Sequence, residues 1–415
     1  MIDGTASAGM RIEQSRALLE RGSRVDATLA YEGYVLPRDR VVEGEYPIFA
    51  ERGEGAYVWD VDGNRYVDFI LAYGTIVLGH AHPRVSAAVI DEIESGFALS
   101  LRKPVQVQLA ELLTQVIPGA ERVLLLKTGS DATSAAVRIS RAYTGRERVV
   151  RWGYSGWHDW ASLRPAGVPR HVRDQVHTFE YNDLDSVRAV FDAHGDEIAC
   201  CVMMPFELER PDAGFLEGVA EVARAHGALL VFDEMRSGFR VALGGAQELL
   251  GVQADLATFS KAMANGYPIA AVTGREEVMR MVGDVHIGST FYVNAAEMAA
   301  ARATIEELRR HPVLERIAAL GGRFLDGLDE LIARHGAQAR TMGVESMPFL
   351  RFTHADERDR AAAQTAFFTE TVRRGILLHP NHHWYVSGAM TEDDVDAALA
   401  ACDAGFAAAR DRVPA

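Results

Sequence analysis

Two apolar runs, separated by a loop and each followed by one ionisable side chain, constrain the fold of this chain most. Residues 228–232 read as a strand buried on both faces, and Asp233 follows at its carboxyl end. Residues 255–259 read as the next strand, and Lys261 stands just beyond it. In an open α/β sheet, ligands bind at the carboxyl edge of the strands. The pattern therefore predicts that Asp233 and Lys261 share a ligand-binding edge.

A carboxylate and an amine at that edge suit the cofactor pyridoxal phosphate. This cofactor is held as a Schiff base on a lysine, with an acid against its pyridinium nitrogen. An isolated aspartate at a strand end is usually a turn or capping residue, and a lone lysine is usually solvated. Taken together, the two residues favour the cofactor interpretation, with Lys261 and Asp233 as candidate catalytic groups.

The composition is that of a globular, enzyme-sized protein. The 415 residues are 48% hydrophobic, which suffices for one large core and a smaller domain. A formal net charge of -15 argues against nucleic acid or an anionic membrane as the main partner. Three cysteines make no disulfide framework, and no apolar segment is long enough to span a bilayer, so we expect a cytoplasmic protein. His80 and His82 lack a third ligand at a suitable spacing, so no metal site is predicted.

The order of the predicted elements indicates an α/β fold with a mostly parallel sheet. Strand-like runs before residue 228 alternate with helical patterns, at residues 123–127, 148–152, 176–180 and 198–204. A turn at Gly63 and Asn64 predicts a hairpin nearer the start of the chain. We predict three segments: an N-terminal segment with a small sheet (1–80), a large cofactor-binding domain (81–310) and a small C-terminal domain (311–415).

The first large-domain strand turns directly into a helix at residues 128–133. A turn of small residues at a helix start exposes backbone N–H groups and the positive end of the helix dipole, which together bind a phosphate. Serine and aspartate also cap helices for purely structural reasons. With Asp233 and Lys261 downstream, we interpret Gly129, Ser130 and Asp131 as a cradle for the cofactor phosphate.

The residues around both ionisable positions resemble those of the class III aminotransferases. The runs 231–240 and 258–268 carry the resemblance, which extends over residues 51–409. The most similar branch contains glutamate-1-semialdehyde aminomutase and relatives from aminoglycoside antibiotic pathways. The resemblance implies a fold type I PLP-dependent transferase: a large, mostly parallel sheet domain sandwiched by helices, plus a small α+β domain from the N- and C-terminal segments. It also implies pyridoxal phosphate as cofactor and a homodimer with shared active sites.

Further cofactor-binding residues follow from the resemblance alone. Tyr154 is the candidate ring that stacks on the pyridine face. Ser155 stands where the family commonly has histidine, so a proton relay does not carry over to it. Asp131 replaces the usual glutamate of the phosphate turn. Thr290 belongs to a motif whose threonine helps bind the cofactor phosphate of the neighbouring subunit.

The candidate substrate residues are more widely spread along the chain. Arg38 stands where the aminomutase pattern has an arginine for the substrate carboxylate, and a guanidinium suits that group; the alternative is a surface arginine. Tyr73 belongs to a stretch that matches the family. Glu207 is a candidate pocket residue or a solvated loop acid. His158 and His383 lie in aromatic loops that either line the substrate pocket or serve packing.

The resemblance implies a transaminase that moves an amino group to or from a carbonyl carbon. We expect a non-carboxylate biosynthetic substrate, such as an aminoglycoside, another sugar or an aminocyclitol. The alternative is an isomerase, an epimerase or 2,1-aminomutase that uses the same lysine without an external amino donor. The region after Met281 is short compared with the gating loop of the aminomutase, which weighs against that alternative. Intact Asp233 and Lys261 argue against a non-catalytic relative.

Overall fold

A computed structural model describes residues 10–30, 42 and 44–413 of the chain. Arg38, the predicted carboxylate-binding residue, lies outside these described residues. Contacts divide the chain into two compact units. The central unit is Pro83–Leu314, and the terminal unit combines the residues up to His82 with those from Glu315 onward.

The strands are numbered in chain order. They are β1 (Ala50–Glu54), β2 (Tyr57–Asp60), β3 (Arg65–Asp68), β4 (Arg122–Leu126), β5 (Arg148–Trp152), β6 (Val176–Thr178), β7 (Ile198–Met203), β8 (Leu229–Asp233), β9 (Leu256–Phe259), β10 (Ala270–Gly274), β11 (Ala339–Val344), β12 (Met347–Phe352) and β13 (Ile376–Leu377).

The helices are numbered in the same way. They are α1 (Glu13–Gly22), α2 (Ala27–Ala30), α3 (Leu71–Gly74), α4 (Pro83–Glu94), α5 (Val105–Val116), α6 (Gly129–Thr144), α7 (Arg170–Arg173), α8 (Leu184–His194), α9 (Phe215–Ala225), α10 (Ala246–Leu250), α11 (Glu276–Met279), α12 (Ala295–Arg310), α13 (Val313–His335), α14 (Glu357–Arg373) and α15 (Glu392–Arg412). Short 3₁₀ turns occupy Gly195–Glu197, Lys261–Ala264, Arg280–Gly283 and Thr290–Val293. Within the described ranges, no helix is long and apolar enough to cross a membrane.

The central unit is built on a seven-stranded sheet in the order β4-β10-β9-β8-β7-β5-β6. The five strands β9, β8, β7, β5 and β6 each pair in parallel with their neighbours in this group. In contrast, β10 is antiparallel to both β4 and β9. The chain from Phe259 to Ala270 is too short for a parallel crossover, which needs a dozen or more residues. The α/β prediction of a mostly parallel sheet is therefore confirmed, and this short return inserts one antiparallel strand into it.

The central strands of this sheet are buried along their whole length and are mostly apolar. Every residue of β7, β8 and β9 is buried, as expected for strands covered by helices on both faces. The helices present apolar faces to them, and α9 buries Phe215, Leu216 and Val219. Because β4 and the strands from β9 to β6 run the same way, their carboxyl ends share one edge. Asp233, Lys261 and the turn before α6 all lie at that edge.

The terminal unit contains a four-stranded sheet, in the order β1-β2-β3-β13, and the hairpin of β11 and β12. The predicted hairpin around Asn64 is confirmed, since β2 and β3 pair antiparallel, with Val58 opposite Tyr66. The short strand β13 pairs in parallel with β3, with Ile376 opposite Val67. The chain ends thus supply a small α+β unit of their own.

Candidate active site

A cavity of about 300 Å³ opens at the carboxyl edge of the central sheet. Its walls come from the segments that follow β4, β5, β7, β8 and β9, so one sheet edge brings distant parts of the sequence together. The lining residues are Thr128, Gly129, Ser130, Thr133, Tyr154, Ser155, Gly156, Trp157, Met204, Asp233, Met235, Arg236, Ser260 and Lys261.

Asp233 ends β8 and is only 2% exposed. Its Oδ1 accepts a hydrogen bond from the backbone N–H of Met235 at 3.1 Å, while its Oδ2 has no hydrogen-bond partner among the described residues. Burial raises the pKa of Asp233 to about 6, and the Met235 bond and the charge of Lys261 oppose that rise. A buried carboxylate oxygen in this state is suited to a cationic N–H donor from a ligand.

Lys261 follows β9 and begins a 3₁₀ turn. Its φ of +45° lies in the left-handed region, which strains a residue other than glycine and is typical of functional sites. Burial lowers the pKa of Lys261 to about 8; the charge of Arg236 adds to the lowering, and that of Asp233 opposes it. A larger share of the amine is therefore neutral near pH 7 than in an ordinary lysine, as a nucleophile requires.

The chain contains three lysines, and their surroundings differ. Lys103 pairs with Glu92, and the Nζ of Lys127 lies 3.0 Å from Oε2 of Glu297. Of the three, Lys261 is the one that lines the cavity. Lys261 is therefore the one lysine whose amine can bind a carbonyl cofactor in this cavity.

The turn before α6 places backbone donors in the cavity wall. Thr128 caps the helix: its Oγ1 accepts the backbone N–H of Asp131 at 3.2 Å, and Oδ2 of Asp131 accepts that of Thr128 at 2.9 Å. The carboxylate of Asp131 is therefore used in the cap. Gly129 and Ser130, as first residues of the helix, have N–H groups without an intrahelical acceptor. These groups can bind a phosphate.

The segment after β5 covers the same turn. Gly156 has a φ of +103°, and a Cβ there would lie 2.5 Å from Oγ of Ser130, so only glycine allows this approach. Tyr154 and Trp157 are 49% and 72% exposed at the cavity wall. Ser155, by contrast, is buried, and its carbonyl accepts a hydrogen bond from Oγ1 of Thr133 at 2.8 Å.

An ion pair stands beside the two ionisable groups. Nη1 of Arg236 lies 2.5 Å from Oε1 of Glu207, and the Arg236 side chain is 14% exposed. The loop that carries Glu207 is anchored by Tyr181, whose hydroxyl donates to the carbonyl of Pro205 at 2.7 Å, and Trp152 stacks on Tyr181 at 4.1 Å between centroids. The predicted pocket residue Glu207 is thus held next to the cavity through Arg236.

His158 lines a second cavity, of about 240 Å³, rather than the first. Its Nδ1 lies 2.7 Å from Oγ of Ser134, which also accepts the indole N–H of Trp160 at 2.9 Å. Thr290 is the first residue of the 3₁₀ turn that supplies Tyr292 to this second cavity, and Thr290 is exposed. The substrate role of His158 and the intersubunit role of Thr290 stay predictions.

Tyr73 and His383 lie in the terminal unit, in a cluster of aromatic and imidazole rings. Leu71, Ala72 and Tyr73 have φ values of 48°, 49° and 59°, three successive left-handed residues that strain the backbone. The ring centroid of Tyr73 lies 5.0 Å from that of His382, which lies 5.5 Å from that of His383. Backbone strain of this kind is often found at functional sites. The substrate roles of Tyr73 and His383 stay predictions.

Sequence reasoning did not single out several residues of the cavity wall. Thr133, Met204, Met235, Arg236 and Ser260 all line it. Their positions carried a signal, because each lies within a few residues of Asp233, Lys261, the helix-start turn or a predicted strand end. No sequence pattern indicated that Arg236 pairs with Glu207.

The wall of this cavity fits pyridoxal phosphate. The partnerless oxygen of Asp233 suits the protonated ring nitrogen, the amine of Lys261 suits the aldehyde, and the N–H groups of Gly129 and Ser130 suit the phosphate. Tyr154 offers an exposed ring at the same wall. Fold and cavity together define the class of a fold type I, pyridoxal-phosphate-dependent transferase.

The chain belongs to the class III aminotransferase family, whose model matches residues 40–391. The 3-aminobutyryl-CoA aminotransferase of Cloacimonas acidaminovorans (strain Evry) is 41% identical over 362 residues, which cover 85% of this chain and 87% of the relative. The glutamate-1-semialdehyde 2,1-aminomutase of Symbiobacterium thermophilum is 36% identical over 427 residues, covering 96% and 98%.

Solved structures agree with this family. The FumI protein of Sphingopyxis sp. MTA144, in its PLP internal aldimine form, superposes with a TM-score of 0.89 at 33% identity and 95% coverage of both chains. The protein is therefore an enzyme that uses pyridoxal phosphate, and transamination between small amines and carbonyl compounds is the main reaction expected of it.

Proposed function

We propose that this enzyme transfers an amino group to or from a carbonyl carbon that is not next to a carboxylate. The observation that carries the proposal is the 41% identity to an enzyme named 3-aminobutyryl-CoA aminotransferase, whose substrate has its amine on carbon 3 of an acyl thioester. Two classes of substrate follow: such a 3-amino acyl compound with its 3-oxo counterpart, or the sugar, aminoglycoside or aminocyclitol that the sequence resemblance suggests.

In this proposal, the residues that line the cavity at the sheet edge have distinct roles. The bound cofactor supplies an electron sink for the carbanion formed at the carbon next to the amine. Lys261 attaches the cofactor and then carries the proton to and from the substrate as base and acid. Asp233 keeps the ring nitrogen protonated by charge pairing. Gly129 and Ser130 hold the phosphate, and Tyr154 packs against the ring.

The test is a panel of single-turnover reactions with the loaded enzyme. The panel contains 3-aminobutyryl thioester, 3-aminobutyrate, an amino sugar, an aminocyclitol and an α-amino acid, and the visible absorbance of the bound cofactor reports each transfer. We expect rapid loss of that absorbance with one of the first four amines and no response in Lys261→Ala. Fast reaction with the α-amino acid and none with the other four amines would contradict the proposal.

An isomerase is the second candidate, because the relative from Symbiobacterium thermophilum is named an aminomutase. An isomerase consumes no external amino donor, so it turns over an amine alone and repeatedly. A transaminase without a carbonyl substrate stops after one equivalent. Counting product per active site in the absence of any keto compound therefore separates the two reactions.

We also propose that two copies share their sites through Thr290. The threonine is exposed and follows a glycine and a serine, as in the intersubunit motif. Mixing the variants Lys261→Ala and Thr290→Ala tests this, because a mixed dimer contains one site with both an intact lysine and an intact threonine. Recovery of activity on mixing supports the proposal, and additive residual rates contradict it.

A further inference from the structure

Two buried polar atoms of the cofactor cavity have no hydrogen-bond partner of normal geometry among the described residues, although the Ser155 side chain is close enough to Asp233 to lower its pKa. They are Oγ of Ser155 and Oδ2 of Asp233. Both residues line the same cavity, and each is 2% exposed. A buried hydroxyl and a buried carboxylate oxygen each carry a desolvation cost, which one hydrogen bond between them would remove.

The backbone of Ser155 is fixed while its hydroxyl can still rotate. Its carbonyl accepts the hydroxyl of Thr133 at 2.8 Å, and the following Gly156 is held against the helix-start turn. A serine hydroxyl can donate one hydrogen bond, and an ionised carboxylate can only accept. The direction of any bond between the two groups is therefore set by their chemistry.

We propose that the hydroxyl of Ser155 donates a hydrogen bond to the carboxylate of Asp233 and thereby stabilises its ionised form. Ser155 is then a positioning residue that acts on the cofactor through Asp233. It serves this chain at a position where related enzymes commonly have histidine. The inference rests on the proposed role of Asp233 as partner of the ring nitrogen.

The charged groups around Asp233 act beside this bond. Lys261 and Arg236 favour the ionised carboxylate through their positive charges. Glu234 is also buried, and its carboxylate accepts bonds from Ser237 and from the backbone N–H groups of Ala246 and Gln247. None of these charges changes when Ser155 is replaced by alanine. The pKa of Asp233 should then rise by the contribution of the hydroxyl alone.

The experiment measures the affinity of the apoenzyme for pyridoxamine 5'-phosphate as a function of pH. This probe keeps the ring nitrogen and the phosphate but has no aldehyde to react with Lys261. The informative quantity is the ratio of the dissociation constants of a variant and the wild type, because ionisation of the probe cancels in it. We expect the ratio for Ser155→Ala to be close to 1 near pH 8.5.

Below the pKa of Asp233, the same ratio should rise to about 10, the size of one hydrogen bond to a charged group. Ser155→Thr keeps a hydroxyl and should show a ratio that does not vary with pH. A ratio for Ser155→Ala that is the same at all pH values, or an equal rise for Ser155→Thr, would overturn the inference. If Ser155→Ala does not fold, Ser155→Cys replaces it, since the weak S–H donor should give a smaller rise of the same sign.

Asp233→Asn separates this inference from the assignment on which it depends. If that variant binds the probe with wild-type affinity across the pH range, the role of Asp233 itself is wrong. If Asp233→Asn weakens binding but Ser155→Ala gives a flat ratio, only the role of Ser155 is wrong.

Discussion

Replacing Asp233 with asparagine should stabilise the apoenzyme at the same time as it weakens cofactor binding. Burial raises the pKa of Asp233 from 3.8 to about 6, a shift worth about 3 kcal/mol at 1.36 kcal/mol per unit. Because the folded-state pKa is raised, the group contributes most to stability below the unfolded pKa, and that contribution is lost as pH rises through about 6. Asparagine never ionises, and its carbonyl can still accept the N–H of Met235.

The assay is chemical denaturation of both apoenzymes across pH. The unfolding free energy of Asp233→Asn should exceed that of wild type by only about 0.5 kcal/mol near pH 4 and by about 3 kcal/mol at pH 8. Asp192→Asn, at an exposed aspartate, is the matched control and should show no such divergence. In the loaded enzyme the sign reverses, because the ring nitrogen loses its charged partner. A gap that is absent or independent of pH would refute the assigned burial penalty.

Three further predictions concern neighbouring residues. The rate at which apoenzyme captures pyridoxal phosphate should rise with pH and level off above about 8, since the lowered pKa of Lys261 sets the neutral fraction of its amine; a plateau reached near pH 10 would contradict this. Arg236→Met should move the midpoint of this rise in capture rate to higher pH, because Arg236 lowers the pKa of Lys261. An unchanged midpoint would count against this prediction. Gly156→Ala should weaken cofactor affinity, measured by titration of the apoenzyme, by at least about tenfold through its clash with Ser130. Gly167→Ala, with a positive φ but no atom within 4 Å of the new Cβ, should leave affinity unchanged; equal losses would refute the clash.

The sequence was sufficient for the parts of the fold that follow from local pattern. Apolar runs before Asp233 and Lys261 predicted β8 and β9, and their shared carboxyl edge predicted that the two side chains would meet in one cavity. Those inferences depend only on strand burial and on the parallel direction of neighbouring strands. The confirmed hairpin around Asn64 depends on a local turn in the same way.

Features that depend on tertiary contacts were not predictable. The antiparallel direction of β10 follows from the length of one return segment, which the alternating pattern did not reveal. The pairing of Arg236 with Glu207 joins residues 29 positions apart on two different loops. The contact between His158 and Ser134 likewise places that histidine at the second cavity, whereas the sequence left open whether it lines the substrate pocket or serves packing.

The attachment site of the cofactor is the most direct test of the account. Reduction of the loaded enzyme with borohydride fixes the cofactor to the amine that holds it, and peptide mass spectrometry then identifies the residue. The chain has three lysines, at positions 103, 127 and 261, so the result is unambiguous. The account predicts label on the peptide that contains Lys261. Label on Lys103 or Lys127, or no label at all, would contradict it.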